Sequence, residues 1–394
     1  MFADLSPQPA DKIIALMAAY REDPRTDKID LGVGVYKDES GNTPVMRAVR
    51  TAEAELVAAQ TTKTYTRLIG DADYIAAMQE LALGDLVARD RVTGSQAPGG
   101  TGALRMLFEL VRLARPTARF WISDPSWPNH AGILKHMGTP PRSYSYFDPV
   151  SRSVRFDAMM EDLKEAGPDD VVILHGCCHN PTGANLTVAQ WEALAESAVS
   201  QGWLPLVDLA YLGLGDGLAE DAAGYRAMAV RVPRMMIAMS CSKNFGLYRD
   251  RAGATVVIGE TPAEASMVEG TLASLNRLTY SFAPHHPAAI VARILSTPAL
   301  RAEWEEELGE MRDRVNGLRH SLASALRQET NSDRFDFLAE HRGMFSLLGA
   351  SSDQVEAMRA DNGVYMVGDS RMNIAGLHPD QIPGFARAII AAGV

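Results

Sequence analysis

Lys243 stands in the stretch SCSKNFGLYRDRAG (240–253), directly behind the apolar run MMIAMS (235–240). A lysine on a loop is ordinarily solvated surface. One that follows a buried strand emerges at a strand end, where open α/β sheets bind their ligands. In a partly apolar pocket its amine has a depressed pKa and can condense with a carbonyl to an imine. Arg251 follows in the same stretch and offers a planar fork for a phosphate or a carboxylate.

Other residues carry two readings each. Ser240 and Lys243 fit S-x-x-K, the serine–lysine pattern of penicillin-binding enzymes, but the companion S-D-N and K-T-G patterns do not occur. Asp208 closes the run LPLVDL (204–209); it is either a turn or helix cap, or a buried carboxylate that needs a partner such as a protonated ring nitrogen. Tyr211 lies close behind it. PGGTGALR (98–105) puts glycines before a helix, so free N–H groups there suit an anion. Arg105 stands where G-x-G-x-x-G needs its last glycine, so a single phosphate fits better than a nicotinamide dinucleotide. In HGCCHNPTG (175–183), His175, Cys177 and His179 would share one face of a strand, as metal ligands do, but HNPTG reads better as a tight loop offering Asn180. Trp127 and His130 in DPSWPNH are either core residues or a stacking surface and a hydrogen-bonding group. Arg371 in GDSRMNIAG and Arg277 in NRLTYSF are surface ion-pair residues or carboxylate clamps.

These residues need a frame. Continuous apolar runs at 119–123, 170–175, 204–209, 235–240 and 253–259 read as strands buried on both faces. Helical patterns are expected at about 46–60, 72–88, 187–202 and 299–328, and Leu104, Leu107, Phe108 and Val111 repeat at helical spacing after the glycines. Strands alternating with helices give an α/β chain with a mostly parallel sheet. Pro7 and Pro9 mark an arm, and Asp11 is placed to cap a short helix. The 394 residues carry 46% apolar residues and a net charge of −11. That charge argues against nucleic acid as a partner. No apolar run reaches the ~18 residues of a membrane span. Three cysteines, two of them adjacent, form no disulfide framework, and no signal peptide is evident, so a cytoplasmic location is expected.

Taken together, LGVGVYKDE, TTKTY, PGGTGALR, PSWPNH, HGCCHNPTG, DLAY, SCSKNFGLY and GMFS occur in the order of one family. The chain resembles class I aminotransferases with pyridoxal 5'-phosphate, of the aspartate aminotransferase fold (fold type I), and most of all the bacterial aromatic and aspartate enzymes. The resemblance implies an N-terminal arm (1–10), a small α/β domain (11–43 with 311–394) and a large cofactor-binding domain (44–310). It makes Lys243 the imine lysine and proton shuttle, with Asp208 on the ring nitrogen and His130 behind it. Asn180 and Tyr211 would meet the ring oxygen and Trp127 would stack on the ring. Gly100, Thr101, Ser240, Ser242 and Arg251 would hold the phosphate, with Tyr65 from a second subunit. Arg371 would clamp the substrate α-carboxylate, helped by Asn180 and Gly34. Arg277 of the second subunit would meet a distal carboxylate. Tyr65 and Arg277 in the neighbour's site imply a homodimer with shared sites; no metal is expected.

One position departs from the pattern. Aspartate-selective relatives usually carry asparagine after Tyr-Ser, and here Phe282 follows Ser281. An apolar ring in place of an amide favours large apolar side chains while keeping Arg277. The expected activity is transamination of aromatic amino acids, and of aspartate and glutamate, by a ping-pong mechanism with 2-oxoglutarate as acceptor. Aspartate selectivity is the alternative. A lyase, or a DNA-binding regulator with an aminotransferase-like sensor, fits less well: the latter needs a basic helix-turn-helix segment in front.

Overall fold

Residues 2–6 and 11–394 are described in this computed structural model. Pro7 and Pro9 of the expected arm lie outside them. Asp11 does cap the first helix, Lys12–Glu22, accepting from the N–H groups of Ile13 and Ile14.

The central sheet runs, edge to edge, Val92–Pro98, Ala252–Ile258, Met235–Ser240, Leu204–Leu209, Asp170–His175, Arg119–Asp124 and Arg142–Ser145. Only Ala252–Ile258 runs against its neighbours; the remaining pairings are parallel. Side chains alternate between two apolar layers, as strand geometry dictates. Val171, Ile173, Leu206, Met236 and Val257 join the layer under the helix Gly99–Ala114, whose Leu104, Leu107, Phe108 and Val111 are all buried. Val172, Leu174, Val207, Leu209, Ile237 and Val256 face the opposite layer, with Trp191 and Leu194 of the helix Val188–Gln201. Both faces are covered, which is why these runs read as continuously apolar.

Two sequence expectations needed adjustment. The helix expected over 72–88 stops at Leu83, because Gly84 leaves helical geometry with φ 57°. The edge strand Val92–Pro98 went unread, since Gly94 and Pro98 interrupt its pattern. Gly94 is required there: a Cβ would lie 2.0 Å from Thr255 O of the neighbouring strand.

Outside the sheet, Ile29–Asp30 pairs in parallel with Val364–Tyr365, and Phe345–Leu347 pairs antiparallel with Arg371–Asn373. The long helix Pro298–Thr330 buries Trp304, Leu308, Met311, Val315, Leu318 and Leu322 along one stripe. Trp304 stacks on Phe245 with centroids 4.5 Å apart, and its Nε1 donates to Asn244 O at 2.6 Å. The helix therefore grips the turn that immediately follows Lys243.

Candidate active site

Neighbouring strands deliver the site residues to one rim. His175 and Asp208 are register partners at the ends of Asp170–His175 and Leu204–Leu209. Met235–Ser240 ends in Ser240, and Ser242 and Lys243 follow. A cavity of about 220 Å³ opens at this rim, lined among others by Gly100, Thr101, Trp127, Asn180, Asp208, Tyr211, Ser240, Ser242, Lys243 and Arg251. All of these were candidates from sequence, and the fold brings them together.

Lys243 Nζ lies 5.1 Å from the centre of the Tyr211 ring. Burial pushes its pKa down to about 8; the Asp208 carboxylate opposes this, and Arg251 and Arg371 add to it. Burial alone would raise the pKa of Asp208. The hydrogen bond from His130, with the Lys243 amine nearby, outweighs that and holds it below the usual carboxylate range.

A directed chain of hydrogen bonds ends on Asp208. Asn180 N–H donates to His175 Nδ1 at 3.2 Å, which leaves His175 Nε2 as a donor to Ser126 Oγ at 3.4 Å. Ser126 then donates to His130 Nδ1 at 3.0 Å, and His130 Nε2 donates to Asp208 Oδ2 at 2.9 Å. Each imidazole serves in one neutral tautomer, assigned here from the network. Burial, with His130 close by, accordingly pulls the His175 pKa down to about 3, against the pull of Asp208.

The metal alternative for His175, Cys177 and His179 does not survive. The His175 nitrogens are engaged as above, and those of His179 meet Ser123 and Thr182 at 3.0 and 2.9 Å. Among the described residues, the group whose ligand atoms do lie within 4.8 Å is Cys177, Cys178 and Asp221, and the Asp221 carboxylate already accepts N–H bonds from Gly213, Gly215 and Asp216.

An anion cradle lies at the other end of the cavity. The helix Gly99–Ala114 has no side-chain cap at its N-terminus, so its first N–H groups are unsatisfied from within. Arg251 Nη1 donates to Ser242 Oγ at 3.2 Å, and Ser240 Oγ donates to Ser242 Oγ at 3.1 Å. A Cβ on Gly99, where φ is 72°, would lie 2.2 Å from Arg251 Nη2. Backbone N–H groups, hydroxyls and a guanidinium converge as a phosphate requires.

Arg371 is buried. Its Nη2 donates to Gly32 O at 3.2 Å and its guanidinium lies 4.6 Å from the Phe345 ring centre, while Nε has no hydrogen-bond partner among the described residues. Phe345 meets Tyr211 edge-on at 6.0 Å and fills the space a Cβ on Gly34 would enter, 2.9 Å from its Cζ. Tyr65 and Arg277 are not among the cavity-lining residues. Tyr65 is 83% exposed, and Arg277 Nη1 donates to Ser281 Oγ at 2.6 Å.

Residues 26–389 match the family of class I and II aminotransferases. The chain belongs to that family. It is 53% identical to the aromatic-amino-acid aminotransferase of Paracoccus denitrificans, across the whole of both chains. It is 43% identical to the aspartate aminotransferase of Salmonella typhi over 99% of this chain and 100% of that one. The aromatic-amino-acid aminotransferase of Burkholderia pseudomallei, solved covalently bound to pyridoxal phosphate, superposes with a TM-score of 0.97 at 40% identity, covering 100% of this chain and 99% of that one.

Within this aminotransferase, sequence reasoning missed Ser126, His175 and Tyr248 as site components and Phe345 as the floor beneath Arg371. Tyr248 lines the cavity and accepts from Tyr36 N–H at 3.0 Å. Its place beside Lys243 in SCSKNFGLY was a usable signal. Ser126, four residues before its partner His130 in PSWPNH, and Phe345 in GMFS stood inside motifs too, but their second partners, His175 and Arg371, are distant in sequence.

Proposed function

We propose that this aminotransferase binds pyridoxal 5'-phosphate and transaminates aromatic amino acids, and also aspartate and glutamate, with 2-oxoglutarate as acceptor in a ping-pong cycle. The observation that carries the reading is Lys243: an amine with its pKa drawn down to about 8, close to Asp208 and lining one cavity with a phosphate cradle.

The residues fit the cofactor. Gly100, Thr101, Ser240, Ser242 and Arg251 would hold its phosphate, Trp127 would cover the ring, and Asn180 and Tyr211 would meet the ring oxygen. When bound, the cofactor supplies the electron sink for a carbanion at the substrate α-carbon. Asp208, kept ionised by His130, holds the proton on the ring nitrogen. Lys243 would anchor the cofactor, and its Nζ is the group that would take the substrate α-proton as a base and return it as an ammonium. Arg371, whose guanidinium rests over the Phe345 ring, would bind the α-carboxylate with Asn180 and fix which substrate bond faces Lys243.

The active form in this reading is a homodimer in the cytoplasm. Tyr65 reaches the neighbour's phosphate and Arg277 the distal carboxylate of the neighbour's substrate, which accounts for their exposure in one chain. The division into a large domain (44–310) and a small one (11–43 with 311–394) belongs to the same reading and is supported by the pairing of Ile29–Asp30 with Val364–Tyr365. The aromatic preference rests on Phe282, with support from the relatives' names. A panel of amino donors assayed with and without 2-oxoglutarate tests the proposal. Keto acid formed only with the acceptor, fastest from phenylalanine or tyrosine, is the expected result; formation without acceptor would indicate a lyase, and turnover of aspartate alone would indicate the selective alternative.

A further inference from the structure

A surface loop and the end of a helix are laced together. The loop, residues 65–71, carries Tyr65; the last turn of the helix Pro262–Thr279 carries Arg277, and the segment that follows it, to Pro284, carries Phe282. At their tips the rings of Tyr65 and Phe282 stack, with centroids 4.6 Å apart and planes 14° from parallel. At their base one side chain ties both. Gln96, fully enclosed in the strand Val92–Pro98, donates from Nε2 to Pro284 O at 2.6 Å and accepts at Oε1 from Asp71 N–H at 3.2 Å. Its own N–H donates to Ile69 O at 2.8 Å. Asn276 completes the lacing: Nδ2 donates to Leu68 O at 3.0 Å and Oδ1 accepts from the Tyr280 hydroxyl at 2.6 Å. Gly70, with φ 106°, lets the Tyr65 loop lie on the amide; a Cβ there would be 2.3 Å from Gln96 Cβ.

We infer that Gln96 is a positioning residue that sets the Tyr65 loop against the helix end of Arg277 and the segment behind it as one unit. The inference rests on the reading above, in which those two side chains serve a neighbouring copy. A buried amide with both ends engaged has no freedom to rotate, and removing it leaves a loop carbonyl without its donor. Arg371 and Lys243 belong to other elements and do not depend on this lacing. Disturbing Gln96 therefore weakens what Arg277 and Tyr65 hold, the distal carboxylate and the cofactor phosphate, and spares the α-carboxylate.

The test is Gln96→Met in the cofactor-saturated enzyme, with KM and kcat measured separately for aspartate and phenylalanine. The expected result is an aspartate KM raised by ~3- to 10-fold, a phenylalanine KM within ~2-fold of wild type, and weaker retention of the cofactor on dialysis. A purely structural role would lower the active fraction, reducing kcat for both substrates with both KM values unmoved; that result overturns the inference. Gln96→Glu guards against misfolding of the first variant: it keeps the Asp71 bond, turns the Pro284 contact repulsive, and should show the same selectivity. Arg277→Ala is measured beside them. If it is selective for aspartate and neither Gln96 variant is, only this inference falls; if Arg277→Ala weakens both substrates equally, the reading of Arg277 falls and this inference with it.

Discussion

His130 Nε2 lies 2.9 Å from Asp208 Oδ2, and the two side chains are 0% and 10% exposed. A carboxylate this enclosed would ordinarily take up a proton. His130 supplies a hydrogen bond in its place, and the bonds through Ser126 and His175 fix which nitrogen carries the hydrogen. The result is a negative charge of fixed position at the rim of the cavity.

Asp208→Ala should therefore keep the phosphate site and still bind cofactor, yet lose ~100-fold or more in kcat at saturating cofactor. Steady-state kinetics with phenylalanine check this. A kcat near wild type would show that another group holds the ring proton.

The Lys243 pKa of about 8, against an ordinary 10.5, sets a pH dependence. Only the neutral amine attacks a carbonyl, so capture of pyridoxal phosphate by the cofactor-free protein should accelerate as pH rises through about 8 and then level. The depressed pKa also means that the unfolded chain binds more protons between about pH 8 and 10.5, so this group's contribution to stability rises with pH across that window and is unfavourable below it. Stopped-flow absorbance from pH 6.5 to 10.5 reads the capture rate. An inflection near 10.5 would place Lys243 in a solvent-like setting.

Trp304 ties the long helix to the turn after Lys243. Trp304→Ala should cost ~3–5 kcal/mol by cavity formation, and Trp304→Phe ~1–3 kcal/mol, because a phenyl ring keeps apolar contact with Phe245 but leaves Asn244 O without its donor. Urea unfolding measures both. Equal midpoints for the two variants would separate the stack from the hydrogen bond in the wrong order.

Arg277→Ala should lose ~2–4 decades of kcat/KM for aspartate and a decade or less for phenylalanine, whose ring presents no charge. Arg371→Ala should damage both substrates, since each carries an α-carboxylate. Parallel losses in Arg277→Ala would return that arginine to a structural role.

The legible parts of this protein were those whose meaning is local. Lys243, Asp208 and the Gly99–Thr101 turn each sit at the end of an apolar run or the start of a helix, so strand ends alone assembled most of the cavity. The helix Val188–Gln201 was bounded by its Thr187 cap and Gly202. What stayed hidden depends on contacts between distant segments: Ser126 with His175, Gln96 with Pro284, Phe345 beneath Arg371. The edge strand Val92–Pro98 was lost because its glycine answers to the neighbouring backbone and not to its own sequence pattern.

The central claim is that Lys243 carries the cofactor. Protein purified with pyridoxal phosphate, reduced with borohydride, digested and mapped by mass spectrometry should show one pyridoxyl adduct, on Lys243. An adduct on a different lysine, or none, would contradict the account.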